Sequence, residues 1–129
     1  MSNRQSIVVV SGSREKLQMA AMVASVAAVG GSDVRVFLSM NALPYFGKNA
    51  PKHAEPEGAV GRLLEQKNVP PFDDLFRQAV ELGDAKIYAC SMAMDVLGLQ
   101  QEQLEPYVTE TMGLTKFLDE AAEGQVWSF

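Results

Sequence analysis

Short apolar blocks alternate along the chain with longer segments of helical spacing, and turn-forming residues mark the joints. Residues 6–11 (SIVVVS) are continuous and β-branched, the pattern of a strand covered on both faces of a parallel sheet. After Gly12 and Ser13, Arg14–Val29 carries Ala, Met and Val around nearly its whole circumference and stops at Gly30-Gly31, which predicts a helix buried against that sheet. Residues 34–38 (VRVFL) read as the second strand. Arg35 puts that strand near a sheet edge, or itself at a strand end, because an unpaired buried guanidinium is costly. A strand, helix, strand unit of this length predicts a right-handed parallel crossover.

Residues 39–46 (SMNALPYF) are apolar but hold Pro44, which predicts one helical turn leading into a loop. The segment 47–61 has the Gly and Pro content of turns and predicts mobility. A short helix is expected over 60–66. A longer one runs from Pro71 to Leu82, with Phe72, Leu75, Phe76, Ala79, Val80 and Leu82 inward and Gly83 closing it. Lys86–Cys90 (KIYAC) predicts a strand, 91–98 a helix, 100–106 a polar connection, 115–122 the last helix and 126–129 (VWSF) the last strand. Four or five strands alternating with helices predict an α/β sheet with helices on both faces, flavodoxin-like or closely related.

Composition narrows the chemistry. The 129 residues are 47% hydrophobic and 21% charged, which predicts a single folded domain over 1–129. A net charge of −5 provides no global positive field for phosphates, so nucleic acid is not an expected partner. The longest apolar stretch, 17–31, is shorter than a bilayer span, and the start resembles no signal peptide, so the expected setting is cytoplasmic with no integral membrane segment. One cysteine and one histidine, without HExxH, CxxC or GxSxG, argue against a structural metal and against a serine hydrolase. No cofactor is expected.

Cys90 stands at the end of one predicted strand and the start of a predicted helix. Functional groups collect at the carboxyl ends of parallel strands, and helix N-termini there favour a thiolate. The competing reading is a packed, inert cysteine, since free Cys is among the most buried residue types. The residues around it, Tyr88-Ala89-Cys90-Ser91-Met92-Ala93-Met94-Asp95-Val96-Leu97-Gly98-Leu99, together with Phe37-Leu38 and Asn41-Ala42-Leu43, resemble the DsrE/DsrF/DsrH family of sulfur-relay proteins, in its branch with a YACSM-type motif. The opening strand and Ala-rich helix and the ending 117–129 fit that family too.

The resemblance implies a three-layer α/β/α domain with a mainly parallel five-stranded sheet, assembled into homo- or hetero-oligomers, trimers to hexamers among them. It also implies a cysteine, here Cys90, that holds sulfane sulfur as a persulfide or thiosulfonate and passes it to a partner thiol. Sulfur-donor and sulfur-acceptor proteins and anionic sulfur species such as thiosulfate would be its partners. A lone thiolate suits such a relay, whereas dithiol redox catalysis requires a resolving cysteine that this sequence lacks. A non-catalytic oligomeric subunit with an inert cysteine is the alternative.

Further candidates each carry two readings. Asn41 either holds a sulfur-species oxygen or caps a helix, and Ser11-Gly12-Ser13 is an anion-binding turn or simply a cap. Lys48, Lys52 and His53 make the only concentrated positive stretch, which either closes over an anion at Cys90 or is a solvated loop. Ser91 and Met92 adjoin the thiol, and Met92, Met94, Met40 and Tyr45 either wall it from water or are core. Trp127 and Phe129 are expected in the sheet core or a subunit interface.

Overall fold

In the computed structural model, which describes residues 3–129, five strands form one all-parallel sheet in the order β4-β3-β2-β1-β5. They are β1 (Arg4–Val9), β2 (Asp33–Leu38), β3 (Lys86–Cys90), β4 (Glu110–Met112) and β5 (Gln125–Ser128). The helices are α1 (Arg14–Val29), α2 (Ala59–Gln66), α3 (Phe72–Gly83), α4 (Ser91–Leu97) and α5 (Leu114–Ala121), with 3-10 turns at Met40–Phe46 and Gln101–Gln103. The α/β class read from the sequence is the class observed.

Topology assigns the helices to faces. From β1 the chain steps through β2 and β3 to β4 in one direction, then returns to add β5 on the far side of β1. Right-handed crossovers therefore put α1 and α3 on one face and α5 on the other. The packing agrees: α1 lies against α3, whereas Phe117 of α5 meets Phe37 of β2 at 4.9 Å and Tyr88 of β3 at 6.3 Å between ring centres. Ile7, Val9, Val36, Leu38, Ile87 and Ala89, alternating with the residues under α5, form the α1/α3 side of the core.

Several elements differ from the sequence reading. The first strand is Arg4–Val9 rather than 6–11, because by Val10 and Ser11 the backbone has left the β2 register and donates to the Phe129 carbonyl instead. Helix α1 is buried on one side only: Leu17, Ala20, Ala21, Ala24 and Ala28 face the core while Met19, Met22, Val26 and Val29 are exposed, Val26 by 73%. Leu82 is 71% exposed rather than inward, because α3 buries Phe72, Phe76 and Ala79 and Leu82 lies off that stripe.

Arg35 belongs to the central strand and not to an edge. It is tolerated near the start of β2 because Asp33 and Glu120 receive its guanidinium, at 3.3 and 3.0 Å. Gly83 does not close α3 but is its last residue, and Asp84 takes the left-handed capping conformation (φ 58°). The glycine is needed for proximity, since a Cβ at Gly83 would stand 2.5 Å from the Cβ of Ala28. Strand β4 had no reading of its own, being three residues long with two polar ones.

Candidate functional site

Strand β3 delivers Cys90 to the carboxyl edge of the sheet. Ile87 and Tyr88 suit a pleated, two-sided surface, and β2 and β4 pair with them on either side. Pairing begins one residue ahead of β4, where the Thr109 N–H donates to the Ile87 carbonyl at 2.6 Å and the Ile87 N–H donates to Thr109 Oγ1 at 3.1 Å. Cys90 closes the strand and is at once the N-cap residue of α4, with extended backbone angles of −65° and 121°.

Alternation along β3 decides which way the thiol faces. Tyr88 lies under Phe117, so Cys90, two residues on, shares the α5 face of the sheet. Its register partner on β4 is Met112, on the same face, and the two are only 5% and 4% exposed. A thioether thus flanks the thiol across the ladder. The methionines that the sequence sets around Cys90 do not include Met112, because the three residues of β4 carry no strand pattern of their own.

The other candidates occupy three surroundings. Asn41 and Met92 share a cavity of about 160 Å³ with Met40, Ala93, Val96 and Leu97 at the start of α4. Met92 is exposed and Met94 buried, so of these two only Met94 is core. Ser91 is half-buried at the head of α4, with Gly113, the N-cap of α5, nearby: a Cβ on Gly113 would lie 3.8 Å from Ser91 Oγ. Asn41 also lines a cleft of about 530 Å³ with Ser11, Gly12, Ser13, Glu55 and Glu57, whose carboxylates oppose an anion there. Ser13 is a helix cap, its Oγ accepting from the Lys16 N–H and donating to Glu57.

The cations of the 47–58 loop are engaged elsewhere. Lys48 lines a third cavity, about 440 Å³, with Pro44, Leu97, Leu99 and Gln103. Lys52 donates to the carbonyls of Tyr45 and Gly47 at 2.7 and 2.6 Å, and burial lowers its pKa against the raising pull of Glu105. His53 pairs with Glu65 of α2 at 2.5 Å, beside Arg14. The loop itself is held at its far end by the Glu15 carboxylate, which accepts N–H bonds from Glu57, Gly58 and Gly61.

Among the described residues no group of three His, Cys, Asp or Glu side chains gathers as metal ligands, and no helix is long and apolar enough to cross a membrane. The chemistry available at the site is that of one thiol in a dry setting: nucleophilic attack on a sulfur atom and release of that sulfur to a second thiol.

Comparison with known proteins extends the geometry. The profile of the DsrE/DsrF/DrsH-like family matches residues 52–129, which include Cys90 and both strands flanking α4. The chain is 29% identical to the uncharacterized protein YrkE of Bacillus subtilis, over 97% of this chain and 95% of that one. Among solved structures it is similar to the ychN protein from E. coli, with a TM-score of 0.66, 15% identity and full coverage of both chains. It is also similar to MTH1491 of Methanobacterium thermoautotrophicum, a protein of unknown function, with a TM-score of 0.59, 15% identity and 98% coverage of each chain. At such identities the two structures speak for the fold.

Proposed function

The chain belongs to the DsrE/DsrF/DrsH-like family, and from that premise we propose that it is a cytoplasmic sulfur carrier whose Cys90 takes up sulfane sulfur and passes it to a partner thiol. The observation that carries the reading is the position of the only cysteine, at the carboxyl end of an inner strand, where it doubles as the N-cap of the next helix. Uptake is a substitution at sulfur. The Cys90 thiolate attacks the outer sulfur of a donor persulfide, the donor's S–S bond breaks, and the donor leaves as a thiolate while Cys90 becomes a persulfide.

Delivery repeats the exchange with an acceptor thiolate and restores Cys90, so no outside oxidant or reductant is consumed. With tetrathionate the same attack leaves a thiosulfonate on Cys90 and releases thiosulfate. Asn41, Ser91 and Met92 would border the incoming group, and Lys48 would draw in anionic species, His53 being committed to Glu65. Donor proteins, acceptor proteins and further copies of the chain are the partners.

The test is intact mass after polysulfide or tetrathionate, on the unaltered chain and on Cys90→Ser, with circular dichroism as a folding control. The unaltered chain gains sulfur or thiosulfonate mass and the folded variant gains none. The near-complete burial of Cys90 favours a second reading, a non-catalytic subunit with a packed cysteine. Adducts that form only after denaturation would establish that reading, and adducts on Cys90→Ser would remove Cys90 from the mechanism.

A further inference from the structure

The two edges of the sheet are built differently. The β4 edge is three residues long, carries Glu110 and runs at once into Gly113, features that discourage pairing with another strand. The β5 edge has none of these protections. Gln125–Ser128 contains no ionisable residue and no proline, and its four side chains are exposed although they alternate between faces, Val126 by 54% and Trp127 by 41%. A further strand alongside would satisfy the outer backbone row of β5 and set cross-strand neighbours beside these exposed side chains.

Hydrogen bonding fixes which backbone groups are free. The Phe129 N–H donates to the Val8 carbonyl and the Phe129 carbonyl accepts from Val10, both at 2.8 Å, so Phe129 spends both groups on β1. In a parallel ladder alternate residues do the same, which assigns Trp127 and Gln125 to β1 and leaves the N–H and C=O groups of Val126 and Ser128 pointing outward.

We propose that β5 pairs antiparallel with β5 of a second copy of this chain, about a dyad at Trp127, to make a ten-stranded sheet. A second copy is the occupant because this row of donors and acceptors complements itself under a two-fold axis. The strand's lack of charge also lets two chains of net charge −5 meet without opposed carboxylates, which two β4 edges would bring together at Glu110. Paired residues must share a face, so the register that satisfies every outward group sets Val126 against the partner's Ser128, with two hydrogen bonds at each of the symmetry-related pairs. Trp127 then faces the partner's Trp127 as a non-hydrogen-bonded pair, with Cα atoms about 4.5 Å apart. The indole N–H, donating to Gln5 Oε1 at 2.7 Å, already holds the ring on its face of the sheet.

Val126→Pro tests this directly, since it removes an outward N–H that β1 does not use. Light scattering at micromolar concentration should give a dimer, or a multiple of dimers, for the unaltered chain. Because Trp127 is the only tryptophan, its pairing should give an exciton couplet in far-ultraviolet circular dichroism. Val126→Pro should lose the couplet and halve the assembly while keeping its helical signal. Trp127→Arg, which opposes two cations on the dyad and spares the backbone, should do the same and stands in if the proline variant does not fold. A monomeric unaltered chain, or an assembly that survives both substitutions and is then held elsewhere, for example by the exposed Met19 and Val26 face of α1, would overturn the proposal.

Discussion

Cys90 and Met112 are register partners across the β3–β4 ladder, with both side chains buried on the α5 face of the sheet. Adjacent parallel strands lie about 4.8 Å apart, so the thioether is a wall of the thiol's surroundings. The shortest strand in the sheet thus sets a buried thioether beside its one cysteine.

Met112→Ala is expected to destabilise the fold by about 2–3 kcal/mol, the low end for removing a buried methionine, and to speed alkylation of Cys90 severalfold under native conditions. Met112→Leu keeps the volume and should cost under about 1.5 kcal/mol, with alkylation near the unaltered rate. Denaturant melts and iodoacetamide kinetics on the three proteins check this. Equal rates in all three would mean that Met112 does not guard the thiol.

Gly83→Ala probes the contact between the two long helices. The added methyl would stand 2.5 Å from both the backbone carbon and the Cβ of Ala28, and backbone cannot swing aside as a flexible side chain does. Separating α1 from α3 should cost about 1–3 kcal/mol. The double variant Gly83→Ala with Ala28→Gly relieves the Cβ part only. It should recover part of the loss in a urea titration, and full recovery would show that the backbone of Ala28 contributes nothing.

Helix α1 and strand β3 were legible to the residue because each is a largely apolar block with a clear start and stop, Ser13 and Gly30-Gly31 for the helix and Ala85 and the helix-forming run from Ser91 for the strand. What escaped the sequence was set by partners. The three residues of β4 are a strand only because β3 offers them a ladder, and without β4 there was no means of placing Met112 beside Cys90. The uniform apolarity of α1 predicted burial all round, whereas the domain covers one side and leaves Met19, Met22, Val26 and Val29 bare. The cationic loop was legible as composition but not as geometry: Lys52 is consumed by the Tyr45 and Gly47 carbonyls and His53 by Glu65. Backbone carbonyls that compete for a lysine leave no mark in a sequence.

Glu15 gives the fold an acid limit. The N–H of Glu57 first, against an opposing effect of burial, and then the N–H groups of Glu15 itself, Gly58 and Gly61 together hold its carboxyl below the ordinary 4.5. The unfolded chain therefore binds a proton at higher pH than the folded one. The stabilisation is complete above the ordinary value and is lost as pH falls through the lowered folded value. Glu15→Gln retains an oxygen acceptor for the loop but removes the titration, so its melting temperature should decline less steeply than that of the unaltered chain on acidification below 4.5. The same substitution should loosen residues 57–61 at neutral pH, where the charged acceptor is lost, and amide exchange at Glu57 and Gly58 should quicken. Parallel melting curves across the acid range would show that these N–H bonds do not favour the carboxylate.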